Sequence, residues 1–161
     1  MNQVISPEIA KEKIENLHKN GKKVVITGGC FDILHPGHFA LFENAKKAGD
    51  VLFVLLESDE KLTQIKGPNR PIHSQEERAT MLKAIRYIDY IIPLPLFSNN
   101  EQYDHLLQML KPDIIATTEN DTNLKHKQRQ AALINANIVA VTKYIPHKST
   151  SNLANILSKE S

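Results

Sequence analysis

Five short apolar runs, at residues 24–27, 51–56, 90–92, 114–117 and 138–141, recur along the chain with helical segments between them. Strands separated by helices return in the same direction, so this alternation predicts βαβ units on a parallel sheet. An opening amphipathic helix is predicted over 7–19, with Ser6 as N-cap, Pro7 in the first helical position and Ile9, Ile14 and Leu17 toward the core. A helix over 37–48 places Phe39, Leu41, Phe42 and Ala45 on one face, and Gly49-Asp50 closes it. Ser74-Gln75-Glu76-Glu77 is a capping box that starts a helix running to about Arg86. Further helices fit 101–110, stopped by Lys111-Pro112, and roughly 123–135; a short last one follows Ser149 or Ser151. Residues 64–73, with Lys-Gly-Pro-Asn-Arg-Pro inside, read as a flexible basic loop. At 161 residues the chain suits one domain, 1–161, with a full-sized core.

The most informative stretch follows the first strand. Residues 27–38 read Thr-Gly-Gly-Cys-Phe-Asp-Ile-Leu-His-Pro-Gly-His. If the second half opens a helix, His35 and His38 share one face near its N-terminus. A helix N-terminus carries unpaired N–H groups and partial positive charge, so it attracts phosphate. Gly28 and Gly29 allow a tight turn and close approach to a ligand. Two imidazoles there can donate hydrogen bonds to phosphoryl oxygens as charge develops. The motif stands at the carboxyl end of a parallel strand, where open α/β sheets bind ligands. A phosphate-handling active site is the expectation.

Bulk properties narrow the class. Apolar residues at 41% and charged residues at 24% are ordinary for a globular protein. A net charge of +2, spread along the chain, gives no basic footprint for nucleic acid. No apolar run approaches the roughly 20 residues of a membrane span, and the first twenty residues carry charges throughout. A single cysteine excludes an intrachain disulfide and suits a reducing compartment, so a cytoplasmic domain is expected.

Two phosphate signatures are missing from the sequence: Gly-x-x-x-x-Gly-Lys-Ser/Thr and Gly-x-Gly-x-x-Gly. Gly29-Cys30-Phe31-Asp32 followed by His35-Pro36-Gly37-His38 instead resembles the HxGH nucleotidyltransferases, a superfamily that includes the cytidylyltransferases. Within it the chain is most similar to the adenylyltransferase domain of bacterial ADP-heptose synthase. Ala48-Gly49-Asp50, Ser58-Asp59, the 66–71 run, Glu77-Arg78, Leu110-Lys111-Pro112-Asp113 and Pro146 with Ser149-Thr150 fall in that domain's order. The resemblance implies a Rossmann-like three-layer α/β sandwich on a five-stranded parallel sheet, acting as a homodimer. It implies attack by a sugar or alcohol phosphate on the α-phosphorus of ATP or CTP, with pyrophosphate leaving. ATP with heptose 1-phosphate is the leading pair, and CTP with glycerol 3-phosphate the alternative. A non-catalytic nucleotide-binding protein is the second alternative.

By that resemblance His35 and His38 bond α- and β-phosphate oxygens, Lys66 closes over the phosphates, and Arg78 contacts β/γ oxygens. Gly29, Cys30, Phe31, Asp32 and Gly37 line the nucleotide, and Ser149, Thr150 and Ser151 form a second anion site at a helix start. Mg²⁺ is held mainly by the nucleotide's phosphates, and no metal site is expected on the chain itself. Cys30 and Asp32 beside the histidines form no recognisable zinc set. Cys30 reads as a small packed residue rather than a nucleophile, and Asp32 as a helix cap or a site residue. Arg70 reads equally as a solvated loop charge or a functional group. The heptose-type Val-Lys-Gly-Gly-Asp-Tyr run is replaced by Ala116-Thr117-Thr118-Glu119-Asn120-Asp121, so a lysine is lost at Thr117; Lys148 could restore that charge. The kinase domain often fused to the heptose enzyme is not in this sequence, and a stand-alone transferase is expected.

Overall fold

The computed structural model describes residues 3–143 and 150–157. Among them, six parallel strands form one sheet: β1 (Gln3–Val4), β2 (Val24–Gly29), β3 (Val51–Leu56), β4 (Tyr90–Pro93), β5 (Ile114–Thr118) and β6 (Asn137–Thr142). Their spatial order is β1-β4-β3-β2-β5-β6. The chain therefore builds outward from β2 in one direction through β3 and β4, then crosses to the other side for β5 and β6. That reversal puts the topological switch point between β2 and β5.

Alternation along each strand sends side chains to two cores. Val25, Leu52, Val54, Leu56, Ile91 and Ala116 face one layer, with Leu41, Phe42 and Ala45 of α2 (Pro36–Lys47) and Ala79 and Leu82 of α4 (Gln75–Lys83). Val24, Ile26, Phe53, Leu55, Ile92 and Ile115 face the other. There they meet Ala10 and Ile14 of α1 (Pro7–Lys19), Leu106, Leu107 and Leu110 of α5 (Asn100–Leu110) and Ala131 of α6 (Leu124–Ile134). Strands apolar on both faces are what a parallel sheet covered by helices requires. Each fully buried side chain such as Phe42 or Leu52 contributes about 1.5–3 kcal/mol. The three-layer α/β sandwich is as the sequence predicts.

The departures are local and have physical causes. The sheet has six strands rather than five, because Gln3 and Val4 pair with Tyr90 and Ile91 at its edge. Two exposed residues are too few to show any alternation in sequence. The glycines after β2 do not make a turn: Gly28 and Gly29 continue the strand opposite Leu55 and Leu56. A Cβ on Gly29 would lie 2.9 Å from the Phe31 ring, so glycine there makes room for that ring. The turn falls one step later, at Phe31, whose φ of 47° is left-handed. Such a conformation costs an L-residue about 1–2 kcal/mol, offset by a ring packed 5.0 Å from Phe42. Gly49 does not cap α2, which ends on a right-handed Ala48. A Cβ at Gly49 would stand 2.6 Å from Val25 Cγ2, so close packing against the sheet selects glycine.

The 64–73 loop shrinks from its front end. An additional helix, α3 (Asp59–Lys66), follows β3, capped by Ser58, whose side chain accepts from Lys61 N–H. Lys66 is thus in the last turn of a helix, and not on a flexible loop. The Ser74–Glu77 capping box is present as predicted, with α4 ending at Lys83 rather than Arg86.

Candidate active site

β2 and β5 pair only at Val25–Ile114 and Ile26–Ile115. Beyond that register the Thr27 hydroxyl donates to the Ala116 carbonyl at 3.1 Å, and the strand ends part. A cavity of about 250 Å³ opens there, at the switch point. The 27–31 segment and His38 wall one side, Thr117, Thr118, Asp121 and Lys127 another, and Lys66 reaches it from α3. A larger groove of about 660 Å³, between α2 and residues 84–87, is walled by Phe39, Ala40, Ile85 and Tyr87 among others, and neither His35 nor His38 lines it.

The two histidines meet as the spacing predicts. His35 is the N-cap of α2, its Nδ1 accepting from Gly37 N–H at 3.2 Å. An acceptor at Nδ1 puts the proton of the neutral ring on Nε2, making that nitrogen a donor. His38 stacks on His35 with centroids 3.8 Å apart, and its other neighbours are Phe31 edge-on and Phe42. Burial, with His35 and Lys66 nearby, depresses the His38 pKa to about 3. Burial also lowers that of His35. Both rings are therefore neutral hydrogen-bonding groups at pH 7. His38 Nδ1 is buried with no hydrogen-bond partner among the described residues, an orphan of the kind found where a ligand completes a site.

Asp32 and Arg78, both expected at the nucleotide, are held by bonds within the protein, and so is Arg70. The Asp32 carboxylate does not cap α2, whose N-cap is His35, and its bonds go to Arg70, Ile72 and His73 rather than to His35 or His38. Fully buried, it accepts from Arg70 Nε at 2.7 Å and from the N–H groups of Ile72 and His73 at 2.9 and 3.0 Å. Burial pushes this carboxyl up, but the His73 and Ile72 N–H groups and Arg70 outweigh it and hold it below the usual range. Arg70 is 8% exposed, so it is no solvated loop charge; it latches the 67–73 segment to the end of β2. Arg78 is fully buried. Its guanidinium donates to the carbonyls of His73, Cys30 and Glu57 and to Asp59 Oδ1, at 2.6–3.0 Å. It is a positioning residue that ties the ends of β2 and β3 to α4.

Burial pushes the Cys30 thiol up, so it is a poor nucleophile at neutral pH. Gly37 spends its N–H on His35. Of the second anion site, Ser149 lies outside the described residues, as do His147 and Lys148, while Thr150 and Ser151 open α7 (Thr150–Leu157). No three His, Cys, Asp or Glu are placed to hold a metal among the described residues.

The sequence over residues 26–156 matches the family model described as cytidylyltransferase-like. The chain belongs to that family. Among its relatives, the bifunctional protein HldE of Campylobacter fetus subsp. fetus is 35% identical over 150 residues, 91% of this chain and 30% of that protein. HldE of Desulfatibacillum aliphaticivorans is 42% identical over 110 residues, 68% of this chain and 22% of the relative. The chain thus spans less than a third of these curated relatives. The fold recurs in the pantoate-beta-alanine ligase of Francisella tularensis, with a TM-score of 0.68 at 16% identity over 96% of this chain and 73% of that one. It recurs again in a lipopolysaccharide core biosynthesis protein of Thermoplasma volcanium, with a TM-score of 0.62 at 22% identity over 78% of this chain and 98% of that one. No helix among the described residues is long and apolar enough to cross a membrane.

Lys127 is the cavity residue that the sequence alone did not single out. It stands four residues before the buried Ala131 on α6, so the i, i+4 spacing was a signal that it faces inward.

Proposed function

We propose that the chain is a nucleotidyltransferase that joins ATP and a sugar 1-phosphate, in the leading case heptose 1-phosphate, to give ADP-heptose. The observation that carries this reading is the stacked, neutral imidazole pair at the start of α2, beside the switch-point cavity, in a chain of the cytidylyltransferase-like family. An oxygen of the acceptor phosphate forms a bond to the α-phosphorus. The bond from that phosphorus to the bridging oxygen breaks, and pyrophosphate leaves with the electron pair. Such a step needs positioning and charge stabilisation more than covalent help. His35 donates from Nε2, His38 faces the cavity, and Lys66 brings positive charge to the same space. Thr150 and Ser151 at the start of α7 are read as a second phosphate contact. Mg²⁺ belongs to this reading as an ion that the nucleotide would bring with it and that would neutralise charge on its phosphates. Among the described residues the one cavity-lining carboxylate, Asp121, is already engaged by Lys127, Thr117 and Asn123, which fits an ion held by substrate rather than by a protein cage. Homodimerisation is part of the same reading, with the apolar groove beside Phe39 and Tyr87 as an available surface.

Pyrophosphate release, measured with ATP and with CTP against heptose 1-phosphate and glycerol 3-phosphate, tests the proposal. Turnover with ATP and the heptose phosphate is expected. Turnover only with CTP and glycerol 3-phosphate replaces the substrates; nucleotide binding with no turnover in any pair replaces catalysis itself.

A further inference from the structure

Lys127 Nζ donates to Asp121 Oδ2 at 2.6 Å and to Thr117 Oγ1 at 3.3 Å. The Thr117 hydroxyl donates to the same carboxylate oxygen at 2.5 Å, and Asn123 N–H reaches Asp121 Oδ1 at 2.7 Å. All three side chains line the cavity from the β5 side, and all are mostly buried, with Thr117 at 1%, Asp121 at 13% and Lys127 at 21% exposure. The lysine lost at position 117 relative to the heptose-type domain is therefore replaced in space, by an ammonium arriving from α6. Lys148, the replacement suggested by sequence, lies outside the described residues.

The chemistry of this cluster differs from that of the imidazole side. An ammonium has three N–H groups and a carboxylate about four lone-pair positions. Among the described residues, two of the former and three of the latter are taken, which leaves one donor and one acceptor position on two side chains that line the cavity. The pair is neutral overall, and its carboxylate repels a phosphate. A neighbouring pair of hydroxyls fits it: one donates to the carboxylate while the next accepts from the ammonium.

We propose that Thr117, Asp121 and Lys127 form a sugar-hydroxyl site on the β5 side of the cavity, Asp121 accepting from one hydroxyl and Lys127 donating to its neighbour. The assignment rests on the nucleotidyl-transfer reading, in which two ligands bring such hydroxyls: the acceptor sugar and the ribose of the nucleotide. A purely structural ion pair would alter stability without favouring either substrate.

Lys127→Met, Lys127→Arg and Asp121→Asn are compared with the unaltered chain by pyrophosphate release, varying nucleotide and acceptor separately, with thermal unfolding recorded. Lys127→Met keeps the aliphatic stem and carries the test if Asp121→Asn fails to fold. KM for one substrate rises about 10- to 100-fold while the other stays within about twofold, and Lys127→Arg recovers most of the loss. If the rise is in the nucleotide KM, 2′-deoxy- and 3′-deoxy-ATP lose binding in the unaltered chain but not further in Lys127→Met, which assigns the ribose. If it is in the acceptor KM, the deoxynucleotides behave alike in both proteins, which assigns the acceptor. Equal changes in both KM values, or none in a folded variant, overturn the site and leave nucleotidyl transfer standing. Absence of turnover in the unaltered chain with every pair overturns nucleotidyl transfer instead. Calorimetric binding of ATP and of heptose 1-phosphate then decides the site: a selective loss of about tenfold in Lys127→Met sustains it, and equal binding removes it.

Discussion

His35→Ala and His38→Ala each lower kcat by about 10²–10³, the cost of losing one preorganised donor to a transition-state oxygen, about 3–4 kcal/mol. Such a donor acts most strongly where water is excluded and where it need not reorganise, and His38 satisfies both conditions by being packed between His35, Phe31 and Phe42. The effect belongs to kcat rather than to binding, because the charge that the rings stabilise develops only as the α-phosphorus is attacked. His35→Ala also removes the N-cap of α2, worth about 1 kcal/mol, so circular dichroism and thermal unfolding accompany the kinetics. Cys30→Ala, whose thiol is protonated and packed, keeps most of the activity. A Cys30 variant that is inactive while His38→Ala turns over normally would reverse these roles.

Asp32→Ala destabilises the fold by about 3–5 kcal/mol, the cost of leaving a buried charge unpaired. The Arg70 guanidinium, 2.5 Å from Asp32 Oδ2 and 8% exposed, loses its counter-ion, and the N–H groups of Ile72 and His73 lose their acceptor. Urea unfolding at pH 7 measures the loss. In the double variant Asp32→Asn with Arg70→Met, part of the stability returns, since the unpaired charge is gone. A cost below about 1 kcal/mol, the size expected of an exposed ion pair, would contradict the latch. Activity falls with stability, because this pair holds the segment that joins α3, with Lys66, to α4, with Arg78.

What was legible in the sequence was local and periodic. The alternation of apolar runs with helical segments places the sheet and its covering layers, and the capping box at Ser74 starts α4 where predicted. The two histidines, three apart on either side of Pro36-Gly37, stack at the helix start. What was hidden depends on distant partners. Asp32 meets Arg70 across 38 residues, and nothing near either residue announces the pairing. Arg70 reads equally as a loop charge or a functional group and Arg78 as a phosphate contact, and their burial is not foreseen because buried guanidinium groups are rare. Arg78 did carry a signal, since it lies four residues before the buried Leu82 on α4 and so shares its inward face. Lys127 carried the same kind of signal, four residues before the buried Ala131, while its partners Thr117 and Asp121 lie on the end of β5 and the loop beyond it. β1 has too few residues to show a period, and it forms only because β4 offers it an edge.

The most direct measurement is a crystal structure of the chain with a non-hydrolysable ATP analogue and Mg²⁺. The imidazole nitrogens of His35 and His38 are expected within about 2.7–3.2 Å of α- or β-phosphate oxygens, with Lys66 closing on the same triphosphate. A nucleotide bound at another surface, with both imidazoles making no phosphate contact, would contradict the account.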